Sequence, residues 1–99
     1  MEGLEDQVVF APNSLCWAAR SDFNRQYRPV REDRRYIVDL SNTIEMDAVG
    51  LGLLLQMADA LGGDRSRFYI ARAQPAVAEI LKAASLDDVA NFGYPELQA

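Results

Sequence analysis

The sequence predicts an α/β fold, a small mixed or mostly parallel sheet with helices packed on it. Three short apolar segments typical of strands alternate with three segments whose apolar residues recur at helical spacing. The chain has 99 residues, 49% of them hydrophobic, which is enough for one core. Short connections in this order favour parallel strands joined by right-handed crossovers. We expect one domain over residues 1–99, with its core at about 7–92 and a loose C-terminal tail at 93–99.

The first strand and helix are predicted within residues 7–28. Val8 to Ala11 is short and apolar, and the proline that follows it is typical of a turn. A helix is expected from about Ser14, with Asn13 or Ser14 offering its N-cap. Its apolar residues recur at helical spacing: Cys16, Ala19, Phe23 and Tyr27. Pro29 ends this helix, because proline disfavours helical geometry in the residue before it.

The second strand and helix are the most regular part of the sequence. Tyr36 to Leu40 is a β-branched and aromatic run, typical of a buried strand, and turn-forming residues 41–43 end it. Asp47 is placed to cap a helix that begins at Ala48. One wide face of that helix is apolar: Leu51, Leu54, Leu55, Ala58 and Leu61. Other apolar residues widen this face, which predicts a helix buried on more than one side.

The third strand and helix follow Gly62 and Gly63, which favour a helix stop. Arg67 to Ala71 is the next strand candidate, and Pro75 occupies a favoured first helical position. The state of the last apolar segment, residues 86–92, is left open because adjacent aspartates offer a cap for a short helix there. The closing residues, including Tyr94, are expected to form a disordered end, with a small docking strip as the alternative.

The composition excludes several classes of function. The chain has no histidine and one cysteine, Cys16, so Ser-His and Cys-His nucleophile pairs and histidine zinc sites are ruled out. We expect that cysteine to be a small buried side chain. Gly62-Gly63-Asp64 lacks the lysine and the spacing of a phosphate-binding loop. We therefore expect no enzyme, no metal and no cofactor.

The charge and hydropathy of the chain bear on where it acts. A net charge of −5 argues against nucleic acid as a partner. No apolar run approaches the roughly 20 residues that span a bilayer, and the first residues are acidic, unlike a secretory signal. We expect a cytoplasmic protein without direct membrane insertion.

Basic residues are unevenly distributed along the chain. Six of the ten lie in one short stretch: Arg20, Arg25, Arg28, Arg31, Arg34 and Arg35. Long charged side chains are mostly solvated, so one interpretation is an exposed helix face and loop. The alternative is an edge that recognises an acidic partner.

From Asp39 onward the sequence resembles the STAS domains of bacterial anti-sigma factor antagonists. Val38-Asp39-Leu40-Ser41, a short loop and Asp47-Ala48-Val49-Gly50-Leu51-Gly52 resemble the central motif of that family. The next family strand corresponds to Phe68-Tyr69-Ile70, and the helix after it to Gln74 through Leu81. The resemblance covers about 60 residues, from Arg35 to Phe92. It implies a non-catalytic protein-binding module whose partner is an anti-sigma factor or a related regulator.

The chain departs from this family at the residues of its switch. Family members carry serines where this sequence has Ala48 and Val49, and phosphorylation there by the partner kinase prevents the complex from forming. The resemblance therefore implies the binding surface without the phosphorylation switch. Ser41 and Thr43 lie nearby as substitute phosphorylation sites, although both are also turn formers. Loss of the serine also suits an alternative function, a structural subunit of a larger assembly such as a stressosome-like scaffold or the accessory subunit of a lipid-transport ABC complex.

The resemblance also implies which residues contact a partner. The predicted surface comprises the helix start, the loop before it and two later helix residues: Asn42, Thr43, Glu45, Asp47, Ala48, Val49, Gly50, Gln56 and Asp59. A purely architectural role for Asp47, as a helix cap, is the alternative. Related domains usually open with two strands, and only Gln7 to Ala11 is clearly available here. An uncovered sheet edge at that position would favour self-association, so a homodimer is left open.

Overall fold

The fold is that of a computed structural model, which describes residues 4–95. The strands are β1 (Glu5–Phe10), β2 (Ser14–Leu15), β3 (Arg34–Asp39), β4 (Glu45–Met46), β5 (Phe68–Ala71) and β6 (Asn91–Phe92). The helices are α1 (Arg20–Tyr27), α2 (Ala48–Ala60) and α3 (Pro75–Ala83), with 3₁₀ turns at Trp17–Ala19, Arg65–Arg67 and Leu86–Asp88. Among the described residues, no helix is both long and apolar enough to cross a bilayer.

The main sheet has four strands in the order β1-β3-β5-β6, and each neighbouring pair is parallel. Strands 2 and 4 form a separate parallel pair of two residues each. The predicted α/β class and the alternation of strands with helices are thereby confirmed. The undecided segment 86–92 divides into a 3₁₀ turn and the short edge strand β6.

The core lies on one face of the main sheet. Register places Val9, Val38 and Ile70 side by side in β1, β3 and β5, and all three are buried. The same cluster contains buried residues of all three helices: Phe23, Tyr27, Leu53, Leu54, Met57, Ala58, Val77 and Leu81. A strand sends alternate side chains to opposite faces, so this register defines which face the helices cover.

The start of the predicted first helix is wrong. Ser14 and Leu15 pair with Glu45 and Met46 instead of joining the helix, and α1 begins six residues after Ser14, at Arg20. Residues 14–15 pair with a distant segment as a short strand, and the helical spacing of nearby apolar residues does not reveal such pairing. Cys16, expected to be buried, is partly exposed at the end of this pair. Leu55, expected in the core, is an exposed residue of α2.

The tail is bound to the fold in its described part. The Gly93 N–H donates to the Ile70 carbonyl at 2.8 Å, and the Tyr94 hydroxyl donates to Oδ2 of Asp39 at 2.5 Å. Gly93 and Tyr94 are therefore held by hydrogen bonds to β5 and to the end of β3. The rest of the predicted tail, residues 96–99, lies outside the described residues.

The β1 edge is partly closed by a side chain. The Gln26 amide of α1 accepts from the Phe10 N–H and donates to the Phe10 carbonyl, both at 2.8 Å. These are the two bonds that a neighbouring strand would make at this residue. Self-association through β1 would have to displace the Gln26 side chain at that position.

Candidate functional site

The N-terminus of α2 is held by Asp47. Its backbone is extended, and its Oδ1 accepts from the Gly50 N–H at 2.9 Å. This is the N-cap expected from the sequence, and its negative charge lies at the positive end of the helix dipole.

Gly50 faces the interior. A Cβ atom added to it would lie 2.0 Å from the carbonyl oxygen of Leu15, so the β2 backbone passes directly over this glycine. The close backbone approach at Gly50 is therefore made by the chain itself. Gly50 is buried and is removed from the predicted contact surface. Gly52 differs, because no atom lies within 4 Å of its added Cβ.

One stripe of α2 remains exposed. It runs along the helix from its first turn and carries four of the five α2 residues predicted for the contact surface: Ala48, Val49, Gln56 and Asp59. Val49 is 43% exposed although it is a branched apolar residue. A position where family members carry the phosphorylated serine is therefore at the surface here, and the aliphatic side chain of Val49 occupies it.

A tryptophan that the sequence analysis did not single out lies beside this stripe. Trp17 is 70% exposed and lines a groove of about 250 Å³ with residues of α2 and α1: Arg20, Val49, Gly52, Leu53 and Gln56. The sequence did contain a signal. Trp17 falls one position after Cys16 and three before Arg20, on the polar side of the helical pattern. A large aromatic residue on the polar face of an amphipathic segment indicates contact with something outside the domain.

The loop before α2 divides into exposed and buried residues. Asn42 and Glu45 are exposed, as predicted for contact residues, and Ile44 between them is also exposed. Thr43 is 0% exposed, and its hydroxyl donates to the Pro12 carbonyl at 2.7 Å. It can neither reach a partner nor receive a phosphate in this conformation, so its inclusion in the contact surface is wrong. Ser41 is partly exposed and remains a candidate for the substitute phosphorylation site.

We expect Thr43→Val to destabilise the fold by about 1–2 kcal/mol, because the hydrogen bond from the buried Thr43 hydroxyl to the Pro12 carbonyl is lost. Ser41→Ala should change the free energy of unfolding by less than about 0.5 kcal/mol, since its side chain is half-exposed. Urea unfolding of the two variants measures this difference. Equal effects would show that the Thr43 hydroxyl does not fasten the loop.

At the far end of β3, a carboxylate is held beneath the tail. Asp39 is 3% exposed, accepts from the Ser41 N–H at 2.8 Å and receives the Tyr94 hydroxyl. Burial raises its pKa, but the hydrogen bonds from Ser41 and Tyr94 and the charge of Arg72 outweigh burial and lower the pKa below 3.8. Burial and the bond to Asp39 raise the pKa of Tyr94. This arrangement stabilises an ionised Asp39 beside a neutral phenol.

The described residues contain no group of three or more His, Cys, Asp or Glu side chains that could hold a metal ion. Asp39 is engaged by its neighbours, and Asp47 caps α2. The exposed features of the α2 region are thus a groove, an aromatic ring and an aliphatic side chain, which are suited to binding another protein.

Comparisons with known proteins agree with this architecture. The sequence model of the family described as Mlab, STAS domain, matches residues 4–94. A STAS-domain containing protein of Pseudomonas aeruginosa is 34% identical over 74 residues, which are 74% of this chain and 73% of that protein. A crystal structure of an anti-sigma factor antagonist from Thermotoga maritima superposes with a TM-score of 0.70, covering 93% of this chain and 83% of that one. Its sequence identity is 17%, so this likeness concerns the fold.

Proposed function

The chain belongs to the STAS domain family, and from that premise we propose that it is a non-catalytic protein-binding module of the cytoplasm. Its contact surface is the exposed stripe of α2 together with Trp17 and the exposed loop residues Asn42 and Glu45. The observation that carries this proposal is the 70% exposure of Trp17 beside Val49. An indole left in water at the mouth of a groove is the kind of anchor that dominates binding energy in protein interfaces.

The proposed binding does not depend on phosphorylation of α2. Ala48 and Val49 carry no hydroxyl, buried Thr43 offers no accessible replacement, and partly exposed Ser41 lies outside the helix. A partner that covers Val49 would gain from apolar burial at the point where a phosphate would otherwise introduce charge. The module would then act by occupancy, remaining competent to bind an anti-sigma factor or related regulator.

The second candidate function is that of a fixed subunit in a larger assembly, either a scaffold or the accessory subunit of a lipid-transport ABC complex. The exposure of two apolar side chains at this surface, Trp17 and Val49, favours it, since permanent interfaces are more hydrophobic than transient ones. A fixed subunit co-purifies with one partner at a constant ratio through repeated washing. A regulator that acts by occupancy exchanges when a competing partner is added.

We expect Val49→Asp to lower the retention of the cellular partner at least about tenfold in a pull-down from native lysate. An unpaired carboxylate in an apolar interface costs several kcal/mol, while an acidic residue in the first turn of α2 favours the helix dipole. The variant should therefore fold normally and fail to bind. Circular dichroism and urea unfolding verify the folding of the variant.

Phe92→Asp is the matched control for this experiment. Phe92 is 41% exposed, close to the value for Val49, but it lies on β6 at an edge of the main sheet. If the Phe92 variant retains the partner and the Val49 variant loses it, the α2 surface is the binding site. Equal retention by both variants would refute the proposal and show that the start of α2 is architectural only.

A further inference from the structure

The arginine-rich stretch divides into two groups in the folded chain. The three later arginines are paired near the amino ends of β1 and β3: Arg31 with Asp33 at 3.2 Å, Arg34 with Glu5 at 3.7 Å and Arg35 with Asp6 at 2.7 Å. These pairs belong to the fold, and the Asp6–Arg35 pair joins two residues in register. The three earlier arginines, Arg20, Arg25 and Arg28, project from α1 and its end.

The α1 arginines surround a shallow groove of about 540 Å³, which Ser21 and Asn24 also line. Arg25 is paired with exposed Asp22 at 2.9 Å, an i,i+3 contact that contributes little in water. Over residues 4–95, no carboxylate lies within salt-bridge distance of Arg20 or Arg28. The Arg28 guanidinium lies over the Tyr27 ring, 5.3 Å from its centre, and this contact orients it.

This basic groove is continuous with the surface proposed above. Arg20 lines both the basic groove and the groove that holds Trp17 and Val49. The guanidinium groups of the α1 arginines therefore lie to one side of exposed Trp17. The whole chain carries a net charge of −5, so this local positive charge opposes the overall field of the protein.

We propose that the α1 arginines bind an acidic segment of the partner protein, whose apolar residues cover Trp17. The inference rests on the proposed function and adds the chemistry of the partner: an amphipathic helix with carboxylates along the side that faces Arg20 and Arg28. Guanidinium groups bind carboxylates through paired hydrogen bonds, and the charges set orientation and association rate. Nucleic acid is disfavoured because the acidic remainder of the chain would repel its backbone.

The test uses three fluorescent probes with the full chain. The first is a synthetic helical peptide of about five turns with leucines on one face and glutamates beside them. The second has glutamine in place of each glutamate, and the third is a single-stranded oligothymidylate. Binding is measured by anisotropy, and the emission of Trp17, the single tryptophan of the sequence, shows whether the probe covers it.

We expect the glutamate peptide to bind and to shift the emission of Trp17 to shorter wavelength. Its affinity should fall about tenfold between about 50 mM and 500 mM salt. Arg20→Glu and Arg28→Glu should each weaken it about fivefold or more. Lys82→Glu makes the same change of charge on α3 and should leave the affinity within about twofold.

Five results would overturn the inference: no binding of the glutamate peptide, equal binding of the glutamine peptide, normal peptide binding by Arg20→Glu and Arg28→Glu, an equal loss with Lys82→Glu, or tighter binding of the oligothymidylate. The Val49→Asp pull-down separates the two proposals. If that variant loses its cellular partner while Arg20→Glu and Arg28→Glu bind the glutamate peptide normally, only the arginine inference fails. If the arginine variants lose the peptide while Val49→Asp retains its partner, the α2 surface is wrong and the arginine face stands.

Discussion

Gly50→Ala is expected to destabilise the protein by about 3 kcal/mol or more. The new methyl group would meet the Leu15 carbonyl oxygen at 2.0 Å and its carbon at 3.0 Å. Both are backbone atoms of β2, which is fixed by its pairing with β4, so neither can turn aside as a flexible side chain would. Either β2 separates from β4 or the start of α2 shifts, and both rearrangements disturb the proposed binding surface.

Gly52→Ala is the matched control. It lies on the same helix two residues further on, is exposed, and has no atom within 4 Å of an added Cβ. Alanine there should stabilise the protein by about 0.5–1 kcal/mol, because glycine is a poor helix former. Urea unfolding of both variants should thus give effects of opposite sign. A Gly50 variant as stable as the wild type would mean that β2 does not bear on α2 in solution.

The second large effect is expected for Asp39→Ala, at about 2–3 kcal/mol of lost stability. The substitution removes the acceptor of both the Ser41 N–H and the Tyr94 hydroxyl, and it leaves these two donors to be satisfied by water. Tyr94→Phe deletes only one of the two bonds and should cost about 1 kcal/mol. A double-mutant cycle that combines Tyr94→Phe with Asp39→Ala measures how much of the lost stability comes from the interaction between these two side chains.

The stabilisation from Asp39 should depend on pH. Its pKa in the folded state lies below the ordinary value of 3.8, so its contribution is fully present above that value and is lost as pH falls through the folded-state pKa. The difference in unfolding free energy between wild type and Asp39→Ala should therefore shrink in acid.

The contribution of Tyr94 to stability has the opposite pH dependence and is lost in alkali. The pKa of Tyr94 is raised above 10.0, so its contribution is present below pH 10.0 and is lost as pH rises through the folded-state value. Urea unfolding as a function of pH measures both limits. A difference between wild type and Asp39→Ala that does not change in acid would contradict an ionised Asp39 bound beneath the tail.

These two sites show what ties the contact surface to the rest of the fold. The α2 surface depends on Gly50 beneath β2, and the loop between β3 and β4 is held at two points, by Asp39 to Ser41 and by Thr43 to Pro12. Gln74 adds a further bond by donating to the Ser41 carbonyl at 2.9 Å. A partner would therefore meet a surface that is already ordered, which lowers the entropy lost on binding.

The sequence alone determined the α/β class, the limits of α2 and the resemblance to STAS domains. These follow from local physics: the β-branched run of β3, the cap at Asp47, and Pro75 in the first turn of α3 are each set by residues close in sequence. The absence of a hydroxyl at Ala48 and Val49 is likewise a fact of the sequence and needs no structure.

Only the tertiary structure decided which of the candidate residues can be reached. Gly50 and Thr43 belong to the motif and its loop, yet β2 and Pro12 cover them, because pairing of residues 14–15 with 45–46 brings together segments about thirty residues apart. Trp17 is exposed although it is apolar, because the helical face that includes Phe23 and Tyr27 fills the core without it. Periodicity assigns residues to faces of one element, whereas exposure depends on what other elements cover each face.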